Sequence, residues 1–151
     1  MKWKFLSFNE LSLDELYNIM QLRVNVFVVE QNCPYPELDN KDRHAEAVHV
    51  FAVNDQQDMV AYARVLPPGL SYPQASIGRV IVASKYRGHN LGAPLMHHAI
   101  NTALAKWPKA GIQIGAQQAI ERFYVELGFK TISPMYLEDD IPHIDMVYQA
   151  E

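Results

Sequence analysis

A β-branched run, "ASIGRVIV" at 75–82, gives way to "SKYRGHNLGAPLM" at 84–96, after which apolar residues recur every four positions. A strand must therefore turn almost directly into a helix, across a segment holding two glycines, an arginine and an asparagine. The helical stripe is Leu91, Leu95, Ala99, Ala103 and Trp107, which predicts a helix over 91–106. Pro94 fits its first turn, and Pro108 and Gly111 mark its end. The first turn of any helix leaves backbone N–H groups without partners, and the macrodipole adds positive potential there. Gly88 and Gly92 let that backbone approach a ligand, Asn90 tolerates a left-handed conformation, and Arg87 adds a charged donor. Residues 87–93 (Arg87, Gly88, His89, Asn90, Leu91, Gly92 and Ala93) thus form a candidate anion site, suited to a phosphate or pyrophosphate. The same residues also fit a plain strand-to-helix turn with an exposed arginine. No Gly-Lys-Ser/Thr is present, and no G-x-G-x-x-G, so the segment is neither a Walker A loop nor a dinucleotide fingerprint.

The rest of the chain supplies partners for that strand and helix. "WKFLSF" at 3–8 predicts a strand. Ser12 followed by Glu15 forms a capping-box pattern. It opens a helix over 13–28 whose spaced positions are Leu13, Leu16, Tyr17, Ile19, Met20, Arg23, Val24 and Phe27. Residues 31–46 hold two prolines and many charges and read as a long loop, a kind that is usually functional or disordered. Runs at 47–54 and 58–66 predict a hairpin, and 111–117 a short strand. A helix is predicted within 118–129, with Ala119, Ile120, Phe123 and Leu127 inward and Gly128 as its C′ residue. Strands at 129–136 and 143–149 close the chain around a turn at 137–142. The order β, α, β, β, β, α, β, α, β, β predicts a mixed α/β sheet in a single domain, 1–151.

The chain has 151 residues, enough to bury a core unaided. A formal net charge of −4 argues against nucleic acid or an anionic membrane as the main partner. One cysteine, Cys33, excludes an internal disulfide and points to a reducing, cytoplasmic setting. The N-terminal apolar patch is too short for a signal peptide, and no run reaches the ~18 residues of a membrane span.

Arg87-Gly88-His89-Asn90-Leu91-Gly92, preceded by "GRVIV", resembles the phosphate loop of the GNAT superfamily of acetyl-CoA-dependent N-acetyltransferases. Asn90 stands where that family usually has glycine. "AIERFYVELGF" at 119–129 is similar to the family's helix ending in Phe-Tyr-x-x-x-Gly-Phe. "LRVNVFVVEQNCPYPELD", "GRVIV", "GAQ" and "DDIPHIDM" resemble, in the same order, the small bacterial ElaA-like group. The resemblance implies a GNAT-like, mostly antiparallel twisted sheet with one splayed parallel pair, here 77–82 and 112–116, flanked by helices. It implies acetyl-CoA as acyl donor in that wedge, its pantetheine arm along Val80, Ile81 and Val82 and its pyrophosphate on the amides of 87–93.

The implied reaction is direct attack of a neutral amine on the thioester. It needs a proton acceptor for the ammonium, donors for the oxyanion and an acid for the leaving sulfur. Tyr124 matches the family's tyrosine near the sulfur and would be the acid. It also fits a packing role beside Ile120 and Phe123. Glu30, beside an apolar run, and His143, at the start of the last strand, are both candidates for the base. Each fits an ordinary surface or structural role as well. Gln117 lies where family members often place an asparagine that touches the cofactor arm. His97 and His98 are adjacent on a helix and point apart, and no cluster has metal-ligand spacing, so no metal is expected. The acceptor pocket is expected among the first helix, the 31–46 loop and the final strands. Its acids Glu30, Glu37, Asp39, Asp139 and Asp140 hint at a cationic amine. A CoA-binding regulatory or partner module without catalysis is the alternative, and a nucleotide-phosphate enzyme using the same loop a third reading. Edge strands near the C-terminus leave room for pairing across a homodimer.

Overall fold

The computed structural model describes residues 1–148. Its strands are β1 (Lys2–Leu6), β2 (Val48–Val53), β3 (Met59–Leu66), β4 (Ala75–Val82), β5 (Ile112–Gln117), β6 (Phe129–Thr131), β7 (Tyr136–Glu138) and β8 (Ile141–Tyr148). The α-helices are α1 (Leu13–Arg23), α2 (Gly92–Lys106) and α3 (Glu121–Glu126). They build one sheet in the order β1-β2-β3-β4-β5-β8-β6, with β7 also paired to β8. Every pairing is antiparallel except β4 with β5.

Strand alternation divides β3 between the two faces. Ala61, Ala63 and Val65 pack with Leu95, Met96, Ala99, Ile100 and Ala103 of α2 in the larger apolar cluster. Met96 and Ile100 widen the four-residue stripe read from the sequence into a face broad enough to cover the sheet. On the opposite face, Tyr62 joins Phe51, Ile81, Ile19 of α1 and Val26 in a second cluster.

Three elements differ from the sequence reading. The first helix keeps α geometry only to Arg23. Residues Val24–Glu30 widen into π turns, closed by i→i−5 bonds from Gln31 to Val26 (3.2 Å) and from Cys33 to Val28 (3.0 Å). Leu13 and Tyr17 lie outside, 87% and 70% exposed, so the buried stripe is narrower than the spacing suggests. Second, the helix read within 118–129 begins as a 3-10 turn at Gln118–Ile120. Its buried residue is Tyr124, while Ile120 is 46% exposed. Gly128, at φ +108, is the left-handed C′ residue. Third, the strand read at 129–136 breaks at Pro134 into β6 and β7, and the broad turn at 137–142 tightens into a hairpin. Asp139 (φ 50) and Asp140 (φ 64) are its two left-handed residues, as a two-residue type I′ turn requires. The last strand therefore starts at Ile141, and its expected Gln149 lies outside the described residues.

Candidate active site

β4 and β5 pair at only two positions, Ala75 with Ile112 and Ser76 with Gln113. Beyond Ser76 they diverge, and β5 continues along β8 as far as Gln117 opposite His143. The β5-facing edge of residues 77–82 is thus left without a strand partner, which is the wedge that the family resemblance implies. β4 is also bulged: Gly78 pairs with Arg64 and Ile81 with Tyr62, so Arg79 and Val80 together oppose Ala63. Arg79 sits at φ +52 in this bulge. A cavity of about 710 Å³ opens at the wedge. Val80, Ile81, Val82, Arg87, Gln117, Tyr124, Glu30 and His143 all line it.

Past the end of β4, a 3-10 turn at Ser84–Tyr86 leads into Arg87. Gly88 (φ +85) and Asn90 (φ +57) take left-handed backbone, so Asn90 fills the conformation for which it is suited. None of the amides of residues 88–93 donates to an acceptor among the described residues, and Gly88, His89 and Asn90 are exposed. A side chain at Gly88 would meet open space, whereas one at Gly92 would press on the Phe123 ring at 3.3 Å. The second glycine thus lets α2 seat against α3, and the first keeps the amide row clear. These successive free amides at a helix start fit a diphosphate. Arg87 donates to the Val82 carbonyl (3.0 Å) and to Glu30 (2.8 Å), so two candidate residues neutralise each other across the cavity rim.

Tyr124 is 5% exposed, with its ring edge-on to Phe123 and Phe129. Its hydroxyl bonds to nothing among the described residues, and burial pushes its pKa up to about 12. It is therefore a protonated hydroxyl facing the wedge at any working pH. His143 is 8% exposed and stacked on Tyr136. Its Nδ1 lies 2.7 Å from the Ile141 carbonyl, an acceptor, so Nδ1 carries a hydrogen, and Nε2 faces the Glu138 carboxylate at 3.7 Å. Cys33, with burial pushing its thiol up and its Sγ on the Asp139 carbonyl, is not an activated nucleophile. Among the described residues no group of three or more His, Cys, Asp or Glu could hold a metal ion, and no helix is long and apolar enough to cross a membrane.

The opposite wall, lined by Tyr35, Asp39, Arg64 and Arg79, is backed by a buried charge network. Arg23, fully buried, donates Nε to Glu37 and Nη1 to Asp42, both at 2.5 Å. Arg64 grips Asp39 with two bonds of 2.8 Å and reaches Asp42 at 3.1 Å. Arg79 donates Nε to Glu37 at 2.9 Å, and the Tyr35 hydroxyl donates to the same carboxylate. Beneath it, His49 takes the Tyr62 hydroxyl bond (2.6 Å) and donates to the Asp42 carbonyl (3.1 Å). Glu37 and Asp39, expected to attract a cationic amine, are thus committed to arginines. Burial works against Asp39, but hydrogen bonds and charge from Arg64 outweigh it and hold the carboxyl at about 2. The network escaped the sequence reading, although two signs were present: Arg23 stands at an apolar-spaced position of α1, and Arg64 stands inside an apolar strand.

Comparison with known proteins agrees with this geometry. Residues 19–150 match the model of the acetyltransferase (GNAT) domain family. Protein ElaA of Escherichia coli strain K12 is 40% identical over 150 residues, covering 99% of this chain and 97% of that protein. The crystal structure of Escherichia coli ElaA superposes with a TM-score of 0.91 over 99% of this chain and 100% of that one. An acyl-CoA N-acyltransferase from Pseudomonas aeruginosa, also 40% identical, superposes at 0.92 over 98% and 99% of the two chains. An aminoglycoside 6'-N-acetyltransferase solved with coenzyme A, 16% identical, shares the fold at 0.73 over 97% and 96%. The wedge, the amide row and these likenesses lead to one conclusion: the chain belongs to the GNAT acetyltransferase family.

Proposed function

We propose that this protein transfers an acetyl group from acetyl-CoA directly to a primary amine. The observation that carries the reading is the divergence of β4 from β5 after Ser76, beside the free amides of 88–93 and the hydroxyl of Tyr124 lining the same cavity. Acetyl-CoA supplies a thioester carbonyl open to attack. Residues 88–93 and Arg87 hold its diphosphate, and the free edge of Val80–Val82 aligns the pantetheine arm. Arg87 already bonds the Val82 carbonyl, so an arriving diphosphate competes with that carbonyl and with Glu30 for one guanidinium.

His143 is the proposed base, through Nε2, because Glu30 is tied to Arg87. As the acceptor nitrogen bonds to the acyl carbon, His143 takes one proton from it. As the carbon–sulfur bond breaks, Tyr124 gives one proton to the sulfur, and the two protons balance. The high pKa of Tyr124 suits a group that must be protonated beforehand. Thiol release from acetyl-CoA with a panel of primary amines tests this reading. Amine-dependent release is the expected result. CoA binding without release on any amine would support instead the non-catalytic module, for which the mutual neutralisation of Glu30 and Arg87 is the favouring observation.

A further inference from the structure

Arg79 is an unusual residue for its position. A side-chain-bearing residue at φ +52 is strained, and glycine or asparagine would hold the bulge with less strain. Such strain persists where the side chain has a task. Part of that task is visible: Nε and Nη2 of Arg79 bind Glu37 and Asp39, and its guanidinium lies 5.9 Å from the Tyr35 ring centroid. Its Nη1, however, donates to no acceptor among the described residues, and the side chain is 21% exposed and lines the cavity.

The charges around it do not cancel. Three arginines, at 23, 64 and 79, face three carboxylates, at 37, 39 and 42. Lys41 is then left over. It lines the same cavity, and its Nζ meets only the Ser71 hydroxyl, at 2.9 Å. The Tyr72 hydroxyl lines the cavity on the other side, over Gly115 and near the Tyr136 hydroxyl. The opposite lip carries the reverse excess, Glu138 and Asp139 beside His143. One side of the cavity therefore has a spare positive charge with free donors, and the other spare negative charge next to the proposed base.

We infer that the acceptor is zwitterionic: its amine lies at the Glu138–His143 lip, and an anionic group, carboxylate or phosphate, is received by Arg79 Nη1 and Lys41. This rests on the acetyltransferase reading and narrows its substrate class. Arg79 and Lys41 would then determine specificity without touching the thioester.

The test compares matched acceptors by thiol release at saturating acetyl-CoA: each α-amino acid against its α-carboxamide, and phosphoethanolamine against ethanolamine. The expected result is that the anionic member of at least one pair is preferred about tenfold or more in kcat/KM, mainly through KM, since the neutral member forfeits a charge-assisted hydrogen bond. Which pair shows the preference distinguishes carboxylate from phosphate. Lys41→Met and Arg79→Gln should each erode that preference, with the affinity for CoA unchanged. Lys41 is at the rim, so its variant carries the test even if Arg79→Gln folds poorly. Equal turnover of both members of every pair, preference for the neutral ones, or a preference that Lys41→Met leaves intact would overturn the inference while leaving the acetyltransferase intact. No turnover with any acceptor would overturn the acetyltransferase reading itself.

Discussion

The two walls of the cavity are built from different materials. The wall at the start of α2 is made of backbone: residues 88–93 present free amides, and its glycines allow the left-handed turn, clear space and let α2 pack. The wall at the bulge of β4 is made of side chains drawn from α1, the 31–46 segment, β3 and β4, locked by buried ion pairs. A backbone site is local, so one short stretch of sequence specifies it. A side-chain network is assembled from positions far apart in the chain, and no single stretch declares it. The first wall should lose ligand when altered and keep its fold. The second should lose its fold.

Arg23→Met would be the sharpest break between them. It leaves Glu37 and Asp42 buried with one guanidinium removed, and truncating a buried pair costs about 3–5 kcal/mol. Urea unfolding should show that loss, whereas Arg87→Met, which removes a half-exposed pair, should cost under about 1 kcal/mol. A comparable cost for both would erase the distinction. Tyr124→Phe comes next. Loss of the proposed general acid should lower kcat about 100-fold or more with CoA affinity retained, as read by steady-state kinetics and calorimetry. Asn90→Glu is smaller: an acidic side chain beside the amide row should weaken CoA about tenfold with little change in unfolding.

The gentlest probe is pH. The folded value of Asp39 lies below its unfolded one of 3.8, so its contribution is complete above about pH 4 and is lost as pH falls toward 2. Burial pushes His49 below 6.5, so the unfolded chain binds a proton below that pH which the fold excludes. Stability should thus begin to decline below about pH 6.5 and steepen below about pH 4. An acid-side decline that is unchanged in His49→Gln would refute the first part.

The contrast also explains what could be read beforehand. The order of elements along the chain and the α2 junction were legible because periodicity and glycine placement act locally, whereas the wedge came only from the family resemblance. The Phe-Tyr-x-x-x-Gly-Phe resemblance pointed to Tyr124, although helical spacing put Ile120 inward in its place. The widening of Val24–Glu30 into π turns was not legible, since a run of valines shows the same apolar spacing in either geometry. Nor was the role of Glu37 and Asp39. A carboxylate in a loop looks solvated until its partners, here Arg23, Arg64 and Arg79, are brought to it by the sheet.

Free amides at the start of α2 are proposed to grip the diphosphate of CoA. Titrating the ¹⁵N-labelled protein with CoA tests it residue by residue. The amides of residues 88–93 should shift most, and pantetheine, which lacks the diphosphate, should move those of 80–82 but not those of 88–93. Large CoA-induced shifts confined to other regions, with 88–93 unmoved, would contradict it.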